Sequence, residues 1–229
     1  MTTSKRLRFR RPARTESETA PKKLDLSRFG DPLAAKTEWR PASGGGTNFC
    51  THRLAQTGPA RMEFRPTTAA RLFYFLFIVV GIALTIFGIG LGLHWFSGFK
   101  SKQGPWLPLM PTGFGVVFGG VGILLYRTGT RPIVFDKNIG FFWKGRTAPN
   151  EVFDWRTIKT AVDLNRVHAL QILSEYCRGD KSWYMSYELN LVLDDGSRVN
   201  VVDHGNIEKL RADAGSLAAF LEVPVWDAA

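Results

Sequence analysis

The sequence predicts a membrane-spanning helical hairpin followed by an α+β domain. Three observations predict it. Two long runs without charge stand side by side in mid-chain, charge is segregated along the chain, and the C-terminal region passes from alternating to helical periodicity. Of 229 residues, 30 are Lys or Arg and 20 are Asp or Glu, a formal charge of +10. Residues 1–71 carry 15 basic and 6 acidic side chains, residues 72–126 only Lys100 and Lys102, and residues 127–229 carry 13 basic and 14 acidic. This distribution excludes a plain soluble globular protein and a uniformly basic nucleic-acid-binding domain. Two cysteines, Cys50 and Cys177, exclude a disulfide framework.

Residues 1–70 show no sustained period. Pro12, Pro21, Pro32, Pro41, Pro59 and Pro66 punctuate them, and Ser43–Gly46 reads as a linker. The expectation is a disordered, basic cytoplasmic tail. Its cluster Lys5–Arg14 holds six basic residues, suited to anionic lipid, to nucleic acid with Phe9 interleaved among the arginines, or simply to fixing topology. No apolar segment follows within 30 residues, so a signal peptide is not expected.

Leu72–Phe99 is 28 residues without Asp, Glu, Lys or Arg, and Gln103–Tyr126 is another 24. A hydrocarbon core about 30 Å thick needs roughly 20 helical residues. The expected spans are about 72–96 and 107–126, within a hairpin unit of 71–127. Pro108 and Pro111 fall in the first turns of the second helix, where a missing N–H matters least. Trp95, Phe96 and Trp106 would mark one interface, and Phe73, Tyr74 and Tyr126 the other.

Arg53, Arg61, Arg65 and Arg71 precede the hairpin, and Arg127, Arg131, Lys137, Lys144 and Arg146 follow it. The hairpin loop has two lysines. Nine against two places both termini in the cytoplasm. Gly81, Gly88 and Gly92 form a stripe on the first helix, and Gly115, Gly119 and Gly122 on the second. Small residues let backbones approach closely in lipid, either within the hairpin or against a second membrane protein or copy. No acidic or basic side chain lies mid-span, so ion translocation has no carrier group.

Residues 128–229 alternate first. Strands are expected near Arg131–Phe135, Ile139–Trp143, within Val152–Leu164, and at His168–Glu175. SYELNLVL and RVNVVD then flank a DDGS turn. A three-residue loop of Asp195, Gly196 and Ser197 would set Leu193 against Val199, Leu191 against Val201, and Asp194 against Arg198, with Gly196 left-handed. Asn206 is the expected cap of a closing helix. Its apolar face is Ile207, Leu210, Ala214, Leu217, Phe220 and Leu221, and Pro224 ends it.

A hairpin followed by RPIVFDKNIGFFWKGR, FDWRTIK and YELNLVLDDGSRVNVVDHGN resembles bacterial two-span membrane proteins with a cytoplasmic pleckstrin-homology-like (PH-like) domain. The resemblance covers about residues 71–226. It implies a curved antiparallel sheet closed by a C-terminal amphipathic helix, a bacterial inner-membrane location, and binding or scaffolding more readily than catalysis.

The chain has no P-loop, GxSxG, HExxH or CxxC. No catalytic residue, metal ligand or cofactor is expected. His94 reads as an interfacial polar residue, and Asp203–His204 as a turn and cap. Arg127, Arg131, Lys144 and Arg146 are the candidate lipid contacts, where the domain leaves the membrane. The expected partners are membrane lipids and a membrane protein or second copy, not nucleic acid. The expected function is a non-enzymatic membrane adaptor or accessory subunit. The alternative is an anionic-lipid-sensing regulator, and a membrane enzyme ranks third.

Overall fold

The computed structural model describes residues 24–42, 44, 46, 49–98, 104, 106–178 and 183–229. Its two longest helices are α1 (Thr68–Phe96) and α2 (Trp106–Gly129), both long and apolar enough to cross a membrane. They pack antiparallel through their backbones. A Cβ placed on Gly115 would lie 2.5 Å from the Thr85 amide nitrogen, and one on Gly122 would lie 2.9 Å from the Ile78 nitrogen.

The hairpin does not precede the sheet domain but interrupts it. The expected tail contains β1 (His52–Gly58) and β2 (Arg61–Pro66), which pair with each other. Strand β2 then pairs antiparallel with β3 (Ile133–Asp136), which follows the hairpin, with Glu63 opposite Val134. The sheet continues through β4 (Phe141–Lys144) and β5 (Ala161–Asp163) in the order β1-β2-β3-β4-β5. The domain therefore begins well before residue 128, and 52–66 is not a disordered tail. The reason is burial: Met62 and Phe64 alternate with Arg61, Glu63 and Arg65, and Phe64 is fully buried. The basic cluster Lys5–Arg14 and loop lysines Lys100 and Lys102 lie outside the described residues.

A second sheet contains β6 (Val167–Arg178), β7 (Trp183–Leu193), β8 (Arg198–His204) and β9 (Val225–Asp227), ordered β8-β7-β6-β9. The β7–β8 loop has three residues, as expected, but they are Asp194, Asp195 and Gly196. The Leu193 N–H donates to Ser197 O at 2.9 Å, so Leu191 faces Val199 rather than Val201. A bulge between Leu189 and Asn190 then restores the inward face, setting Leu189 against Val202. Gly196 is left-handed at φ +81°. The expected Asp194–Arg198 pair does not form. Arg166 bonds Asp194 and Asp195 instead, at 2.9 and 2.8 Å.

The core lies between the sheets. Phe64, Phe135 and Phe142 meet Leu170, Ile172, Leu189, Leu191 and Val201. Helix α3 (Ile207–Leu221) closes one end by burying Leu210, Ala214 and Leu217. Its cap is Asn206, whose Oδ1 accepts from the Lys209 N–H at 3.0 Å.

The outer face of the second sheet is covered by residues 24–42. Ala34 is fully buried there beside Ala169, Val192 and Trp226, and Trp39 stacks on Phe29 at 4.9 Å. Polar side chains of the sheet hold this strap by its backbone. Glu188 accepts from the Ala42 N–H at 2.9 Å, Gln171 Nε2 donates to Glu38 O at 3.1 Å, and Arg198 donates to Arg40 O at 2.7 Å.

Candidate functional site

The helices and the domain meet without a linker. Pro66 ends β2, and Thr67 caps α1 by accepting from the Ala70 N–H at 3.2 Å. The Thr67 backbone N–H donates to Thr51 O at 2.9 Å, and its hydroxyl to Cys50 O at 3.0 Å. On the other side Gly129 ends α2. Arg146 donates to Arg127 O at 3.2 Å and to Thr130 Oγ1 at 3.1 Å, satisfying a terminal carbonyl of that helix.

A cleft of about 340 Å³ opens at this junction, lined by His52, Thr128, Arg131, Lys144, Lys159, Asn200 and Asp203 among others. A second, of about 590 Å³, shares Lys144, Lys159, Thr160 and Asn200 and adds Trp155, Arg156 and Arg198. Asn200 organises the floor. Its Oδ1 accepts from Lys144 Nζ at 2.9 Å, and its Nδ2 donates to Asp203 at 2.9 Å and to Glu188 at 3.2 Å. The amide thus separates the ammonium from two carboxylates. Burial lowers the Lys144 pKa, against the pull of Asp203 and Glu188, and burial raises that of Asp203. His52 Nε2 donates to Arg131 O at 3.0 Å, and burial holds its pKa below the usual imidazole range.

Of the four candidate lipid contacts, Lys144 and Arg131 line the junctional cleft, while Arg146 and Arg127 stand beside it at the end of α2. Lys159, Asn200 and Asp203 were not among the sequence candidates. Lys159 comes to Lys144 through the pairing of β4 with β5, whereas Asn200 and Asp203 both lie on β8 of the other sheet and meet Lys144 only where the two sheets face each other. Two charges counted for orientation sit elsewhere. Arg61 pairs with Asp136 at the far end of β2, and Lys137 pairs with Glu222 beyond the β3 turn.

The glycines divide by face. Gly81, Gly88, Gly115 and Gly122 each sit against backbone of the other helix. A Cβ added at Gly92 or Gly119 would meet its nearest atom at 3.6 Å, and one at Gly90, Gly113 or Gly120 would meet none within 4 Å, although Gly119 backbone itself lies against Gly81.

A third cleft, of about 430 Å³, contains Cys50 and His204 together with Arg53, Lys209 and Asp213. Cys50 Sγ lies 2.8 Å from His204 Nε2, a pairing the sequence reading did not anticipate. The hydrogen-bond pattern fixes its chemistry. The Asn206 N–H donates to His204 Nδ1 at 2.9 Å, so the ring proton is on Nε2 and points at sulfur. Cys50 Sγ in turn bonds His52 O at 3.1 Å. This imidazole has no lone pair to accept the thiol proton. Burial also raises the Cys50 pKa and lowers that of His204. The arrangement is a neutral thiol–imidazole pair rather than an activated nucleophile.

No protein-family model, curated protein or solved structure matches this chain. The class is therefore defined by architecture alone: an antiparallel two-sheet α+β domain with a C-terminal helix, interrupted by two long apolar helices.

Proposed function

We propose that this chain is a non-enzymatic integral membrane adaptor or accessory subunit. In this reading α1 and α2 cross the bacterial inner membrane, and the domain, PH-like in its two sheets and closing helix, stands on the cytoplasmic face. One observation carries the proposal: the hairpin is inserted between neighbouring strands. Strands β2 and β3 are hydrogen-bonded to each other, and each runs almost directly into a helix. A domain tied at two adjacent strands cannot swing on a tether. It holds its surfaces at a fixed height and orientation above the bilayer, which suits a platform for a membrane-bound partner.

The test is partner occupancy with and without that rigid connection. Affinity capture in mild detergent, with stoichiometry from native mass spectrometry, should return one membrane protein partner at a fixed ratio. Insertion of a flexible Gly/Ser segment between Pro66 and Thr68 should leave the domain folded and abolish that occupancy. Full occupancy in the insertion variant would sink the platform reading.

A further inference from the structure

We propose that the cleft between β4, β8 and the end of α2 holds the phosphate of a glycerophospholipid whose headgroup carries a hydroxyl. This is independent of the adaptor reading and needs only that α1 and α2 lie in a bilayer.

Position comes first. The lining residues Thr128 and Arg131 flank the end of α2, and Thr51 and His52 lead through β1 and β2 into α1. The cleft mouth therefore sits at the level where an apolar helix gives way to polar chain, the level of lipid phosphates. Leu124, one turn earlier on α2, is exposed and offers an apolar surface for acyl chains. A cleft of about 340 Å³ is at the small end of ligand sites, fitting a headgroup rather than a whole lipid.

Charge comes second. Lys144, Lys159 and Arg131 converge on the cleft, and among the described residues none of the three is ion-paired with a carboxylate. Lys144 is the telling member. It is half-buried, and its hydrogen bond goes to the neutral amide oxygen of Asn200, which leaves ammonium donors for a ligand. Burial lowers the Lys144 pKa despite the pull of Asp203 and Glu188, so a further anion beside the ammonium would favour its charged form.

Asp203 narrows the ligand. One of its oxygens accepts from Asn200, and its carboxylate shares the cleft with the lysines. A bare polyanion would meet repulsion there, whereas a phosphodiester with a headgroup hydroxyl places phosphate on the lysines and a donor on Asp203.

The experiment uses the full chain in mild detergent, titrated with phosphatidylglycerol or phosphatidylcholine of the same acyl length and followed by native mass spectrometry. One phosphatidylglycerol should bind at least tenfold more tightly than phosphatidylcholine. Lys159→Ala and Lys144→Met should each weaken it about tenfold, the usual scale for one charged hydrogen bond. Lys137→Ala, beyond the β3 turn, should not. Lys159 is exposed and so tests the idea even if Lys144→Met misfolds. Inorganic phosphate or glycerol 3-phosphate should compete only far above the lipid concentration. Competition at equal concentration would overturn the lipid source and assign the site to a soluble phosphate. Equal affinity for the two lipids, or no effect of either lysine substitution, would overturn the site itself.

Discussion

Placing a methyl group on Gly115 tests the helix contact most directly. The added Cβ would sit 2.5 Å from the amide nitrogen and hydroxyl of Thr85, and 2.7 Å from the carbonyl oxygen of Gly81. The hydroxyl can rotate away, but the nitrogen and carbonyl belong to the helix and cannot. Ordinary contact requires about 3.5 Å, so the helices must separate locally by about 1 Å. A gap of that size forfeits a quarter to a half of each affected dispersion contact. Gly88 over Thr112 and Gly122 over Ile78 would open with it, because both helices are rigid. Overpacking of this kind costs about 1–3 kcal/mol, and Gly115→Ala should fall in the upper half of that range. Gly113 and Gly120 are the controls. Neither has an atom within 4 Å of its would-be Cβ, so alanine there should be neutral or stabilising by up to about 1 kcal/mol through helix propensity. The assay is reversible unfolding in mixed micelles, followed by circular dichroism. If Gly115→Ala proves as stable as Gly113→Ala, the backbone-contact reading of this interface is wrong.

Three further outcomes are expected. Both outer ends of the hairpin continue into paired strands, so protease added to sealed vesicles should cut residues before β1 and after α3 on one side only; cleavage from opposite sides would break the topology. Trp39→Ala should remove the stack with Phe29 and the contact with Trp226, costing about 2–3 kcal/mol and making residues 24–42 the first target of limited proteolysis. His52 and His204 are both held below the usual imidazole pKa by burial, so the unfolded chain takes up protons first. Their contribution is present above about pH 6.5 and declines as pH falls through that value, levelling off below the folded pKa values. Asp203 and Asp213, raised by burial, act in the opposite sense at lower pH. The change in Tm between pH 7.5 and 5.5 should therefore be smaller in a His52→Asn/His204→Asn variant than in the parent.

What the sequence made legible were elements whose signal is local. The charge-free runs, the alternation from Tyr187 to Leu193, and the face of α3 with its Asn206 cap each declare themselves within one continuous stretch of sequence. Strand β1 does not: HRLAQTG offers one large aliphatic side chain, and β2 alternates for only six residues among prolines. Their burial depends on partners from beyond the hairpin. The β7–β8 register failed for a related reason. Pairing Leu191 with either Val199 or Val201 keeps apolar residues together, so patterning could not choose between them, and a bulge shifted the pairing along the strand. Within the cleft, Arg131 and Lys144 were found by proximity to the helix end. Nothing in the sequence around Asn200 signals that it stands between a lysine and two carboxylates.

The insertion also bears on how this chain folds. Strand β2 must find β3 across residues 67–132, and closing a flexible loop of that length before its contacts form is slow and entropically unfavourable. Two antiparallel helices change the problem. Once α1 and α2 are packed, Pro66 and Ile133 emerge at the same end of the pair, and the effective separation between β2 and β3 becomes that of a short turn. Glycine contacts such as Gly115 against Thr85 thereby set the geometry in which Phe64 meets Phe135, and with it the five-stranded sheet. A perturbation that splays the helices should then weaken a sheet it never touches, and the hairpin acts as the template on which the domain assembles.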